Sequence, residues 1–232
     1  AGGRGKSHMD YIRRIPKEDK AKTWPINVTY DMFLDHEAHE EEYNFAFRRG
    51  SDFYHHYKED IALLGEMGFK TFRMSISWSR LFPTGLEEEP LADGVAFYHD
   101  VFRECHKYGI EPLVTMIHYD IPIHLTKTLN GWEDSRMVEY FVRYTKFLID
   151  EYKDEVHYWI TFNEINMAMN SPYLGGGLFT ERSGRSRESC IHQALHHMLI
   201  ASARTVKYYH ETAKNGMIGN MIARLQNYPY TC

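Results

Sequence analysis

The stretch Val156-His157-Tyr158-Trp159-Ile160-Thr161-Phe162-Asn163-Glu164-Ile165-Asn166 decides how this chain is read. It is dense in β-branched and aromatic residues, as a buried strand is, and it stops abruptly at an amide and a carboxylate. In a barrel of parallel strands ringed by helices, side chains at the C-terminal strand ends open into one shared pocket, so a carboxylate there reads as catalytic. The local alternative is that Asn163 or Glu164 caps or complements the first turn of a following helix. Successive strand residues point to opposite faces, so Asn163 and Glu164 can both serve one pocket only if the strand end is bulged or turned.

Working outward, the same alternation of elements recurs. Upstream, residues 52–68 carry Phe53, Tyr57, Ile61 and Leu64 on one helical face, with Gly68 placed to end the helix. Residues 69–78 then alternate as a strand. Phe72, Met74, Ile76 and Trp78 share one face; Thr71, Arg73, Ser75 and Ser77 share the other, which points inward if helices cover the outside. A helix through Phe97, Val101, Cys105 and Tyr108, closed by Gly109, leads to a second strand over 110–118, where Pro112 is tolerable near the start. Ser135 is expected to cap a helix that buries Val138, Phe141, Val142, Thr145, Leu148 and Tyr152. After the central stretch, 173–189 reads as a long Gly- and Arg-bearing loop, functional or mobile, followed by a helix over 189–214 and a strand over 217–225.

Helix and strand in strict alternation, with long crossovers, indicate a parallel α/β architecture. No linker or internal repeat divides residues 1–232, so one domain is expected. Four strands are visible, whereas a closed barrel of this type has eight, and half a barrel leaves unpaired edges. The fold class expected is therefore α/β, a partial (β/α)8 TIM barrel in an incomplete domain.

Composition excludes several partners. A formal charge of −5 without a basic run gives no footprint for nucleic acid or an anionic membrane, and no apolar stretch is long enough to span a bilayer. Cys105, Cys190 and Cys232 are few and far apart, neither a disulfide framework nor a zinc cluster, and fit a cytoplasmic setting. The start at Ala1-Gly2-Gly3-Arg4 lacks a signal-peptide core; the missing initiator Met points to processing or truncation. No metal or cofactor is expected. His36-Glu37-Ala38-His39 lacks the four-residue offset of two histidines on one helical face, and His192 with His196 has the offset without the Glu. Gly175-Gly176-Gly177 lacks the Gly-Lys-Ser/Thr of a phosphate loop and reads as a flexible substrate-side loop.

Three positions fall at or near the ends of successive strands: Arg73, His118 and Asn163-Glu164. Together they define a pocket floor. A guanidinium inside a strand is costly to bury unless a carboxylate or phosphate pairs with it; alternatively Arg73 points outward and snorkels. A lone strand-end His is more often packed and hydrogen-bonded than catalytic, and Asp120 could be a turn or cap residue.

Phe72-Arg73-Met74-Ser75-Ile76-Ser77-Trp78-Ser79-Arg80, His118-Tyr119-Asp120, Gly131-Trp132 and Thr161-Phe162-Asn163-Glu164 together resemble the family 1 glycoside hydrolases, retaining β-glycosidases on a TIM barrel. The resemblance spans nearly the whole chain and implies the front half of such an enzyme, carrying strands two to five. It implies Glu164 as general acid/base, Asn163 as ligand of the sugar 2-hydroxyl, and His118, with Tyr119, as further sugar-binding residues. Arg73 would lie beside the catalytic nucleophile. Asn163-Glu164-Ile165-Asn166 is similar to the members acting on 6-phosphorylated β-glucosides; plain β-glucosides or β-galactosides are the alternative substrates. Gly2 to Ser7 aligns just after the family's first strand, so Ser7-His8-Met9 reads as native and not as a vector scar. The first-strand Gln and the Glu-Asn-Gly nucleophile motif have no counterpart here. A retaining enzyme needs two carboxyl groups about 5–5.5 Å apart. This chain offers one of them, so the expectation is a chain inactive alone, partnered by its missing half or by a second copy. The contrasting reading is a non-catalytic sugar-binding or assembly half.

Overall fold

A computed structural model describes residues 2–13, 27–213, 215–224 and 228–229. Its centre is a sheet of four parallel strands in chain order: β1 (Thr71–Ser75), β2 (Glu111–Ile117), β3 (Tyr158–Phe162) and β4 (Met217–Gly219). Arg73 pairs with Leu113, Thr115 with Ile160 and Trp159 with Ile218, which sets the register across the sheet. Among the described residues β1 and β4 each pair on one side only. This is the open edge of a partial barrel. The strand anticipated over 217–225 is shorter as a ladder strand, yet Met221 still donates to the Phe162 carbonyl at 3.2 Å.

Nine α-helices can be numbered along the described residues: α1 (Tyr30–Ala38), α2 (Phe53–Glu66), α3 (Trp78–Leu81), α4 (Ala92–Lys107), α5 (Ile123–Leu129), α6 (Arg136–Tyr152), α7 (Met167–Asn170), α8 (Pro172–Gly176) and α9 (Arg187–Thr212). Helical periodicity explains which faces they bury. In α4 the buried Tyr98, Val101, Phe102 and Cys105 recur at spacings of three and four, and α6 buries Val138, Phe141, Thr145, Leu148 and Tyr152 in the same way. Where α6 meets α9, Thr145 and Thr205 share a buried hydroxyl–hydroxyl bond of 2.8 Å, so neither oxygen is left without a partner. Helix α2 is closed by Gly68 at φ 82° and α4 by Gly109 at φ 64°, the left-handed residues that end helices.

Two sequence expectations are corrected here. Ser135 stands at the α6 N-cap position but makes no side-chain cap bond. Asp134 takes that role: its carboxylate accepts the Arg136 amide at 2.8 Å and pairs with the Arg136 guanidinium. Residues 173–189 are not an open loop either. Pro172–Gly176 forms α8, and Gly175, Gly176 and Gly177 are buried. The glycines serve close approach, since a Cβ on Gly175 would stand 2.4 Å from the Ala168 nitrogen.

Besides the core between sheet and helices, a smaller cluster of Tyr11, Ile12, Val28, Phe33, Tyr173, Leu174 and Phe179 sits over the C-terminal strand ends. The N-terminal segment is laced into it. Gly5 donates to Ser79 at 2.8 Å, His8 to Ile121 at 3.0 Å, and Ile123 to Lys6 at 3.0 Å. Ser7 and His8 are buried. Burial lowers the His8 pKa to about 4, so the imidazole is neutral at pH 7 and its Nε2 donates to the Leu174 carbonyl at 3.0 Å. No helix among the described residues is long and apolar enough to cross a membrane.

Candidate active site

The structure places His118 and Tyr119 just past the C-terminal end of β2 and Asn163 and Glu164 just past that of β3, with Arg73 in the middle of β1 reaching Asn163. β1 delivers Arg73 on its inner face. Nε donates to Thr115 Oγ1 at 3.2 Å and Nη2 to Asn163 Oδ1 at 2.6 Å, so the side chain reaches across two neighbouring strands. This excludes the outward, snorkelling orientation. The burial argument needs correction, however: Arg73 is exposed, because the inner face of the sheet is open on this side. Among the described residues it makes no ion pair with a carboxylate.

At the end of β3 the backbone turns. Asn163 is buried, and its amide nitrogen still pairs with the Ile117 carbonyl at 3.0 Å; Glu164 then enters the left-handed region at φ 41°. That turn breaks strict alternation and lets two consecutive side chains share the site, as the strand geometry requires. Ile165 resumes pairing by donating to Met221 at 3.0 Å. Asn166 completes the clamp. Its Nδ2 donates to the Ala223 carbonyl at 2.8 Å while its Oδ1 accepts the Ala223 amide at 2.9 Å, an amide side chain standing in for a strand neighbour. Sequence reading took Asn166 only as a family marker, since nothing local shows that Ala223 comes alongside.

Past the end of β2, His118 is exposed toward the open side and Tyr119 follows at φ 72°. The Tyr119 hydroxyl donates to the Glu164 carboxylate. Desolvation first, then this bond and the carboxylate charge, push the Tyr119 pKa well up, so the phenol stays a donor. Although the His118 ring reaches solvent, the protein around it and then the Arg73 guanidinium lower its pKa, which favours neutral imidazole. Its ring meets Tyr119 edge-on at 5.3 Å. Asp120 is a turn residue, accepting the His118 amide at 3.4 Å. Gly131-Trp132 sits behind the site: the His197 ring of α9 bonds the Trp132 carbonyl, and Trp132 packs edge-on against Phe162 at 5.3 Å.

Chemically, this is one carboxyl group beside a phenol donor, with an amide, an imidazole and an unneutralised guanidinium around it. Such a surface can bind hydroxyl groups and pass a proton at Glu164. Comparison with known proteins gives it a context. The chain is 48% identical over 188 residues to 6-phospho-beta-glucosidase AscB of Escherichia coli, covering 81% of this chain and 40% of that protein. It is 50% identical over 182 residues to a 6-phospho-beta-glucosidase of Clostridium longisporum, covering 78% and 38%. The chain thus spans about 40% of the length of these curated relatives. Among solved structures, beta-glucosidase from Thermotoga maritima superposes with a TM-score of 0.73 at 27% identity, over 100% of this chain and 47% of that one. Residues 25–232 match the sequence model of Glycosyl hydrolase family 1, and the chain belongs to that family.

Proposed function

We propose that this chain is the acid/base-bearing part of a retaining β-glycosidase that hydrolyses 6-phospho-β-glucosides. In this reading Glu164 gives a proton to the glycosidic oxygen while a second carboxylate, outside this chain, attacks the anomeric carbon. Glu164 then takes the proton of the water that releases the sugar. Asn163 holds the 2-hydroxyl, His118 binds a neighbouring hydroxyl as neutral imidazole, and Arg73 stands beside the second carboxylate. The observation that supports the reading is the turn at Glu164, which directs its carboxylate to the Tyr119 hydroxyl past the strand ends. An Arg73 without a carboxylate partner among the described residues supports a nucleophile supplied from elsewhere.

Phosphorylated substrate is supported by the two relatives near 50% identity, both named for 6-phospho-β-glucosides. The Thermotoga maritima structure, named for plain glucosides, is more distant at 27%. Cys105 and Cys190 are buried free thiols, which supports a reducing, cytoplasmic setting. The partner required is the remaining part of a barrel. Mixing residues 1–232 with the C-terminal portion of the Clostridium longisporum relative tests the proposal on an aryl β-glucoside and its 6-phosphate. Expected is turnover of the 6-phosphate in the mixture, none with the chain alone, and at least a hundredfold loss in Glu164→Gln, in line with the contribution of a general acid/base. Turnover that survives Glu164→Gln contradicts the assignment, and preference for the plain glucoside contradicts the substrate.

A further inference from the structure

Four non-glycine residues among those described have positive φ. Two of them, Asp52 and Asn130, are of types that tolerate the left-handed region. The other two are Tyr119 at 72° and Glu164 at 41°, for which that region is unfavourable. They lie just past the ends of neighbouring strands, and their side chains meet: the Tyr119 hydroxyl donates to the Glu164 carboxylate. The Tyr119 ring packs against the cluster over the strand ends, so its hydroxyl is delivered by a fixed frame.

Asn163, the neighbour of Glu164, is held in turn, its Oδ1 accepting from Arg73 Nη2 at 2.6 Å.

We propose that Tyr119 is a positioning residue for Glu164, holding its carboxylate from a ring fixed against the cluster over the strand ends, and not a direct sugar ligand. This rests on the reading of Glu164 as the acid/base. Tyr119 fixes the carboxylate in one rotamer before substrate arrives.

The test uses the 232-residue chain labelled with 13C at tyrosine Cζ and along the glutamate side chain, with Tyr119→Phe and Glu164→Gln assigning the two resonances. In Glu164→Gln the Tyr119 ionisation midpoint falls by about one pH unit or more, because its charged acceptor is gone, while the other tyrosines keep theirs. In Tyr119→Phe the Glu164 side chain averages among rotamers at unchanged far-UV circular dichroism. A Tyr119 midpoint unmoved in Glu164→Gln, or a Glu164 side chain that keeps one rotamer in Tyr119→Phe, overturns the proposal. Neither reading depends on turnover, so a lack of hydrolysis in the mixture with the C-terminal portion would count against the glycosidase assignment alone.

Discussion

Asp120 lies under the site, between the N-terminal segment and the strand ends. It accepts the His118 amide at 3.4 Å and faces Arg4. Burial dominates and pushes its carboxyl up to about 6 from 3.8, against the pull of those partners. The sign follows from proton binding. The folded chain holds this proton more tightly than the unfolded one, so stability falls as pH rises from about 4 to about 6, by on the order of 3 kcal/mol. Asp120→Asn removes that slope: urea unfolding at pH 4 and pH 7 should show a larger loss in the parent chain than in the variant. Equal losses in both would contradict the burial argument. At this scale the convergence of Arg73, His118, Asn163 and Glu164 was legible in the sequence because Arg73 falls on the inner face of its strand and the others just past the ends of theirs. The partner of Tyr119 was not, since its contact with Glu164 joins residues 45 apart in the chain through two unusual backbone turns.

Among the elements, strands and helices follow their periodicity, but ends follow hydrogen bonds. The strand expected over 69–78 is β1, Thr71–Ser75, because Trp78 already begins a short helix and is wholly buried. The cap of α6 makes the same point with a measurable consequence. Asp134→Ala removes the acceptor of the Arg136 amide and should cost about 1 kcal/mol of stability, whereas Ser135→Ala should stay within about 0.5 kcal/mol. Chemical denaturation of both variants checks this, and the reverse order would return the cap to Ser135. Helix α8 was illegible for a different reason. Three consecutive glycines signal freedom locally, yet here they are buried. A Cβ on Gly131 would stand 2.2 Å from the Gly176 oxygen, so these turns are fixed by backbone approach between distant segments.

As a whole the molecule is a partial barrel whose inner face looks outward into solvent. Tyr158 on β3 is 42% exposed and Met217 on β4 is 69% exposed, large apolar side chains that a closed barrel would cover. The count of four strands was readable from the alternation of elements. On the proposed reading, the open side leaves this chain with the acid/base and the sugar-facing groups, and the second carboxylate comes from outside it. The measurement that tests the central claim most directly is azide rescue of Glu164→Ala in the mixture with the Clostridium longisporum C-terminal portion, using an aryl 6-phospho-β-glucoside. Azide can attack a glycosyl-enzyme without a general base, so the account predicts that it restores the lost rate and yields the β-configured glycosyl azide. A rate that azide leaves unchanged, with no azide product formed, would contradict it.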